Sequence, residues 1–411
     1  MDPVTGARAP VAGPVQNPVN RVLVVNPGSS SLKLSVLEPG PGDVDTTVAS
    51  HLVERWDGAG DLAPLRVFLD GAGRVDAIGY RVVHGGPRFI APARLDDEVV
   101  QALASYTDLA PLHQPRAVAA MRAVGSLRSD VPAVACFDTA FHAWLPVAAR
   151  TYALPREWNE RFGLRRYGFH GLSHAYATRR AGQLLGRDPT SLRLVTAHLG
   201  AGASLAAVVG GRSVDTTMGF TPLSGLVMAT RSGSVDPGLV LWLLQHGGLS
   251  VDEVSEALEH RSGLAGLTGT SGDMREVLAQ RGDGDEAAAV AFDVYVHRMA
   301  QQAAGMVVAA GGLDALVVTG GVGEHAVEVR AALARRLALF GLRLDAVANA
   351  SSPQGEAVDR DIAADDSAVR MLVIQSREDV QIAHETRAVL AEGTQPSPTP
   401  AAPSLTAQGE T

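Results

Sequence analysis

A single cysteine, Cys136, stands in the whole 411-residue chain. No disulfide framework can form within it, and a cysteine-based metal site is not expected. One cysteine fits a reducing compartment, the cytoplasm. Positive charge is scarce too: 35 Lys and Arg face 44 Asp and Glu, a net charge of -9. A general nucleic-acid binder would carry the opposite balance, although a local cationic pocket for an anionic substrate remains compatible with it. The sequence lacks any uninterrupted apolar run of about 20 residues, so no membrane span is expected. The opening "MDPVTGARAPVAGPVQNPVN" has no apolar segment of the signal-peptide kind.

What the chain has is apolar residues (46%) and 44 glycines, enough for large cores and many tight turns, in a length that suggests two domains. Residues 1–20 and 392–411, rich in Pro, Ser and Gly, read as disordered extensions. Between them strand-like and helix-like segments alternate, which predicts an α/β architecture. "RVLVVN", "LKLSVL", "DAIGYRVVHGG" and "VPAVACFDTAF" read as strands, the last delivering Asp138 at its carboxyl end. "LDDEVVQALASY" and "RAVAAMRAVGSL" read as helices. "SHAYATRRAGQLLG" reads as a helix capped by Ser173 and closed by Gly186. A long helix is expected near 285–310, then the strand "DALVVT", the turn "GGVGEH" and a helix over about 325–338. The body closes on "VRMLVIQSREDVQIAHETRAVLAE", strand then helix.

One stretch repeats in design. "LVVNPGSSSLKLSVL" and "LVTAHLGAGASLAAVV" are each strand, Gly/Ser-rich turn, strand, one in each half of the chain. Backbone N–H groups in such turns form anion-binding nests. Three serines add hydroxyl donors and Lys33 a nearby cation. Alone, the first turn is also compatible with a flexible surface hairpin. Its echo favours two similar domains facing one phosphate.

Other residues point the same way. Arg81 sits in an otherwise apolar strand, where a charge is costly unless paired; it is either a buried structural ion pair or an anion ligand. Arg231 lies in the Gly/Ser loop "MATRSGSVDPG". Two converging guanidiniums would give fork-like recognition of carboxylate and phosphoryl oxygens. His170 and His174 have i, i+4 spacing, but "HGLSH" lacks the Glu of H-E-x-x-H, which argues against zinc. His170, at a turn, suits a polar tip in a cleft, and His174 a capped or core histidine. Asp138 is where an open α/β sheet puts ligand groups. "TGGVGEH" fails both the Walker A and the G-x-G-x-x-G patterns and is a weak nucleotide signal by itself.

With "NPGSSSLK", "RVVHGG", "APLHQP", "FDTAFH", "YALP", "RRYGFHGLSH", "AHLGAGAS", "SVDTTMGFTPLSGLVMATRSGSVDP", "SGLAGLTGTSGDMRE", "GGVGEH" and "SREDVQIA" in this order, residues 21–391 resemble the acetokinase family of the actin, sugar kinase and Hsp70 superfamily. The resemblance implies two actin-like (ribonuclease H-like) domains with a duplicated core and a central cleft: 21–142, completed by the helix 377–391, and 143–376. It implies reversible phosphoryl transfer from ATP to acetate, giving acetyl phosphate and ADP, with propionate or butyrate as alternative acceptors. Mg²⁺, for which Mn²⁺ could substitute, would be held by Asn26 and Glu378. Arg81 matches the carboxylate ligand and Asp138 the catalytic aspartate. His170 and Arg231 match the residues on the phosphoryl group in flight. Val83, Leu112, Phe169 and Pro222 match the pocket for the acyl methyl. The nucleotide would meet Ser29, Ser31 and Lys33; His198, Leu199, Gly200, Ala201 and Gly202; Asp273, Met274 and Arg275; and Gly321, Val322, Gly323, Glu324 and His325. The resemblance also implies a homodimer. Ala201, Met274 and His325 depart from the usual Asn, Phe and Asn, all on the nucleotide side.

Acetate is already ionised at neutral pH, so such a transfer needs no general base. Alignment and charge neutralisation carry it. A catalytically silent nucleotide-binding protein would be expected to lack Arg81, Arg231 or Asp138. A purely structural protein leaves the hairpins and Arg81 unexplained.

Overall fold

The computed structural model describes residues 19–28, 31–40, 44–54, 56, 62–111, 113–351 and 359–392. Expectations for Ser29, for Leu112 and for the stretches 1–18 and 393–411 lie outside the described residues.

Two six-stranded sheets are built to one plan. The first contains Val22–Pro27 (β1), Ser31–Glu38 (β2), Thr46–Glu54 (β3), Ala77–Val82 (β4), Ala93–Arg94 (β5) and Ala133–Phe137 (β6), in the order β3-β2-β1-β4-β6-β5. The second contains Arg193–Leu199 (β7), Ala203–Val209 (β8), Arg212–Thr216 (β9), Ala315–Thr319 (β10), Arg360–Asp361 (β11) and Arg370–Val373 (β12), in the order β11-β12-β10-β7-β8-β9. In each, an antiparallel meander grows from its first strand by two parallel strands, with a two-residue antiparallel strand at the edge. Even a register irregularity recurs at corresponding places, Val36/Leu37 and Ala207/Val208. The echo between the two hairpins is therefore a duplication of the whole core.

The strands are apolar on both sides because helices cover both faces. With side chains alternating along β1, Leu23 and Val25 enter the first body's own core, while Val22 and Val24 enter a core shared by both sheets. That shared core is filled by two helices. Gly171–Leu185 packs on β7 and β10, and Glu378–Ala391 packs on β1, β4 and β6 and against the first helix. The last helix among the described residues thus returns to the first sheet. Its Arg387 donates to the carbonyls of Val19 and Asn20, fastening the end of the expected extension.

Gly79 in β4 is the close-approach point for that helix. A Cβ there would lie 2.5 Å from Thr386 Oγ1 and 2.6 Å from Ile382 Cγ2. Gly79→Val is expected to cost about 1–3 kcal/mol by overpacking. A urea-denaturation midpoint equal to wild type would show that the helix gives way freely.

Two local expectations are corrected. "GGVGEH" is a short helix, Gly320–His325, with a second helix at Val327–Arg336, instead of a turn followed by one helix. Gly320, at φ +78°, swings the chain straight out of β10, and the Glu324 carboxylate accepts from its N–H. The other helix starts at Gly171, not after Ser173. His170 occupies the N-cap position at φ 57°, and Ser173 is buried inside the helix. Gly186 ends that helix in the left-handed region, as its position predicts.

Candidate active site

The β1–β2 hairpin closes where Gly28 N–H donates to Ser31 O (2.7 Å). Lys33, exposed, is paired with Asn26, and Arg81 lies one residue beyond the Val25↔Tyr80 pair on the next strand. Arg81 donates from Nη2 and Nε to Asp138 Oδ2 (2.7 and 3.2 Å) and from Nη1 to Asn26 Oδ1 (3.3 Å). Glu378, at the start of the returning helix, brings Oε2 within 3.7 Å of Nε. The two readings of Arg81 merge: it is ion-paired, and the pair sits at the carboxyl ends of the first sheet's strands. Asp138 is 1% exposed. Burial pushes its carboxyl up, Arg81 opposes and Glu378 adds to the rise, leaving it at about 6. Its carbonyl accepts from Gly171 N–H (2.8 Å), so the loop of Asp138 is tied to the helix that His170 begins.

The second hairpin turns through Gly200, Ala201 and Gly202, with Gly200 N–H donating to Gly202 O (2.9 Å). Leu199 is core and Ala201 exposed. His198 stands opposite Ser204, the pair that corresponds to Asn26 and Lys33. Ser173 Oγ meets His198 Nδ1 at 2.8 Å, which is the work of a serine expected to be a cap. Burial leads the downward shift of His198, with Arg81 adding and Glu378 opposing, so this ring faces the first body's charges. His170, 4.4 Å from it ring to ring, is the one non-Gly residue at positive φ among the described residues, a conformation that collects at functional sites. Its Nδ1 is 2.9 Å from Ser204 Oγ. Its other edge faces the turn: a Cβ on Gly202 would lie 3.4 Å from His170 Nε2 and 3.5 Å from Arg231 Nη1. Burial, then His198, His174, Arg81 and Arg231, hold His170 well below the ordinary histidine range, so it is neutral.

Arg231 reaches that point from a loop bonded to the turn through Ala229 N–H to Ala201 O (3.0 Å). Gly263 and Gly272, both at positive φ, let backbone pass under this loop where a Cβ would strike the carbonyls of Met228 and Ala229. The guanidinium approaches only Pro222 O (3.4 Å) and Met228 Sδ (3.9 Å), and no carboxylate pairs with it among the described residues. Burial lowers its pKa and Glu259 opposes. A half-buried cation with no carboxylate within ion-pair distance among the described residues is a site prepared for an anion.

The apolar residues gather between the bodies. Val83, from the first, is buried in the second body's core, which also contains Phe169, and Pro222 is half-buried. Two quoted motifs serve this wall. Tyr152 Oη accepts from Phe220 N–H (2.7 Å), and Arg166 donates to the carbonyls of Thr216, Thr217 and Met218. Both hold the segment that carries Pro222.

His113 was not singled out by its sequence. It lies close enough to Arg81 and Arg231 that both depress it after burial, to about 4. The only sequence signal was a histidine between prolines in "APLHQP".

The remaining nucleotide-side residues lie apart. Asp273 caps the helix Met274–Gly282, accepting from Arg275 N–H; hydrogen bonds from Arg275 hold its carboxyl at about 2. Met274 is buried in the second core. Gly321 and His325 are exposed, Val322 half-buried and Gly323 buried. Glu324 accepts from the N–H groups of Gly320 (3.0 Å) and Ser376 (2.9 Å). Among the described residues no hydrogen bond or ion pair joins these groups to Arg81, His170 or Arg231.

The acetokinase family profile matches residues 66–384. The chain is 48% identical to the acetate kinase of Nostoc punctiforme over 322 residues, 78% of each chain. It is 44% identical to the acetate kinase of Deinococcus deserti over 399 residues, 90% of this chain and 98% of that one. Among solved structures, Porphyromonas gingivalis acetate kinase superposes with TM-score 0.80 at 33% identity, covering 90% of this chain and 100% of that one. A propionate kinase from Francisella tularensis superposes equally well, TM-score 0.80 at 34% identity, covering 90% and 99%.

Proposed function

The chain belongs to the acetokinase family, and we propose that it transfers a phosphoryl group reversibly between ATP and acetate, giving ADP and acetyl phosphate. The observation that carries this is Arg231: a half-buried guanidinium without a carboxylate ion-pair partner among the described residues, meeting the Nε2 edge of His170 across Gly202. In the transfer, Arg81 holds the acetate carboxylate, and Asp138 and Asn26 hold Arg81 in line. Arg231 and the neutral His170 receive the equatorial oxygens of the phosphoryl group, whose charge is spread over them in the transition state. The carboxylate attacks as it stands, without a base. Val83, Phe169 and Pro222 enclose the methyl group and keep water away from the phosphoryl donor.

Asn26 and Glu378 fit a magnesium ion, because each offers a hard oxygen donor next to Arg81. No group of three or more His, Cys, Asp or Glu suited to a metal occurs among the described residues. Mg²⁺ on a nucleotide does not require one, since it keeps waters and phosphate oxygens as ligands. Held by Asn26 and Glu378, such an ion would supply positive charge to offset that of the donor phosphates. The nucleotide would lie along both hairpins and the segments at Asp273–Arg275 and Gly321–His325.

The catalytic bodies are 21–142 with helix 377–391, and 143–376, closing over the cleft between them. Two copies form the working unit. The helix Pro237–His246 buries none of its residues, and Leu239, Leu241 and Trp242 are each about half exposed, as an interface between copies requires. No helix among the described residues is long and apolar enough to cross a membrane, and a lone buried Cys136 suits the cytoplasm.

The test is an assay of purified protein with ATP, Mg²⁺ and acetate, propionate or butyrate, reading ADP release and acyl phosphate trapped as hydroxamate. Acetate is expected to give the highest kcat/KM, and no acid-dependent ADP release would overturn the proposal. In the same panel, Val83→Ala is expected to shift the acetate-to-propionate ratio toward propionate by about tenfold, within the range that one methylene commands. Val83 follows the end of β4, two residues after Arg81, and is buried in the same core as Phe169, which would bring it to the methyl end of a carboxylate held by Arg81. An unchanged profile would place the pocket elsewhere.

A further inference from the structure

His170 is the near end of a buried chain of hydrogen bonds. His170 Nδ1 is 2.9 Å from Ser204 Oγ, Ser204 Oγ is 2.8 Å from His174 Nε2, and His174 Nδ1 is 2.8 Å from Thr196 Oγ1. Thr196, His174 and Ser204 are each fully buried. Both histidines are held neutral, first of all by burial. Each therefore carries one ring proton, and the chain decides which nitrogen has it.

Two proton arrangements satisfy the middle of the chain, and its far end separates them. The Thr196 hydroxyl has no hydrogen-bond partner among the described residues other than His174 Nδ1. If His174 carried its proton on Nδ1, it would donate to Thr196, and the Thr196 hydroxyl proton would be left buried without an acceptor. An orphaned buried donor is the costly case. In the opposite arrangement every donor is used. Thr196 O–H donates to His174 Nδ1, His174 Nε2–H donates to Ser204, and Ser204 O–H donates to His170 Nδ1. The remaining proton of His170 is then on Nε2, the edge that faces Gly202 and Arg231.

We propose that Thr196, His174 and Ser204 are positioning residues that fix His170 as its Nε2–H tautomer and so aim a neutral hydrogen-bond donor at the phosphoryl group in transfer. The opposite tautomer would turn a lone pair toward phosphoryl oxygens and repel them. Only this last link, from tautomer to rate, rests on the phosphotransferase reading; the tautomer itself does not.

The test uses the full-length chain labelled with nitrogen-15 histidine, with the His170 signals assigned by their loss in His170→Asn. Nitrogen shifts distinguish a protonated from a bare ring nitrogen without turnover. Wild type is expected to show His170 protonated on Nε2 and bare on Nδ1. Thr196→Val keeps the shape and removes the hydroxyl proton. It is expected to mix the His170 tautomers and lower kcat by about threefold to tenfold, a fraction of the about 10²-fold cost of losing such a donor outright. KM for acetate and ATP should stay within about twofold, since the residue touches neither. Thr196→Ser, which restores the hydroxyl, is expected to recover both tautomer and kcat. A wild-type His170 protonated on Nδ1, or an unchanged tautomer in Thr196→Val, would overturn the proposal. So would a tautomer change that leaves kcat untouched. An inert wild type with the Nε2–H tautomer supports the chain and counts against the phosphotransferase reading instead.

Discussion

Arg231→Ala is expected to lower kcat by about 10³-fold or more while changing KM for acetate by less than about threefold. Cations placed on the transferring phosphoryl group contribute on this scale because they act where charge is spread in the transition state. Arg231 is assigned to that group alone, and the acetate carboxylate is assigned to Arg81, on the other body. The residue can be removed without collapsing its surroundings, since it makes no ion pair among the described residues and the loop is held by backbone bonds to Ala201, Leu258 and the segment 262–265. A loss under about tenfold, or a loss wholly in KM for acetate, would take Arg231 off the phosphoryl group.

Asp138→Asn is expected to cost about 10²-fold in kcat and to raise KM for acetate, because the charge that orients Arg81 is gone. The pH dependence is the sharper signature. The folded carboxyl is raised from its ordinary 3.8 to about 6, chiefly by burial. Wild-type kcat/KM should therefore rise through pH about 6 as Asp138 becomes charged, between pH about 5.5 and 8 where acetate stays ionised. Asp138→Asn should lack that limb. Stability moves the opposite way. Between 3.8 and about 6 the folded protein holds a proton that the unfolded chain has released, so stability declines as pH rises through this window. A wild-type profile flat over the whole range would mean that Asp138 is ionised throughout and that its charge is not being gated by burial.

The duplication was legible because it is local. Strand, small turn and strand are contiguous in both "LVVNPGSSSLKLSVL" and "LVTAHLGAGASLAAVV", and each hairpin seeds a sheet of the same order. Arg81 was legible because a charge in an apolar strand needs a partner, and the structure supplies Asp138 57 residues away. What stayed hidden depends on distance in the chain. His113 acquires its surroundings from Arg81 and Arg231, which no spacing brings together. Ser204 is one small residue in an apolar strand, and only the fold sets it between two histidines. Ser173 misled because a serine before a helical pattern is a good cap; here the left-handed His170 starts the helix three residues earlier. The helix Glu378–Ala391 comes close to the first sheet at Gly79, whose missing side chain leaves room for Thr386 and Ile382.

The central claim is that the phosphoryl group passes directly from nucleotide to carboxylate between Arg81 on one body and Arg231 and His170 on the other. His170 is a group placed to intercept it: its Nδ1 is taken by Ser204 while its Nε2 edge faces the transfer point. The stereochemical course at phosphorus tests this most directly, using ATP made chiral at the γ-phosphoryl with oxygen isotopes and acetate as acceptor. Direct in-line transfer predicts inversion of configuration in the acetyl phosphate formed; retention would mean two displacements through a phosphorylated side chain and would contradict the account.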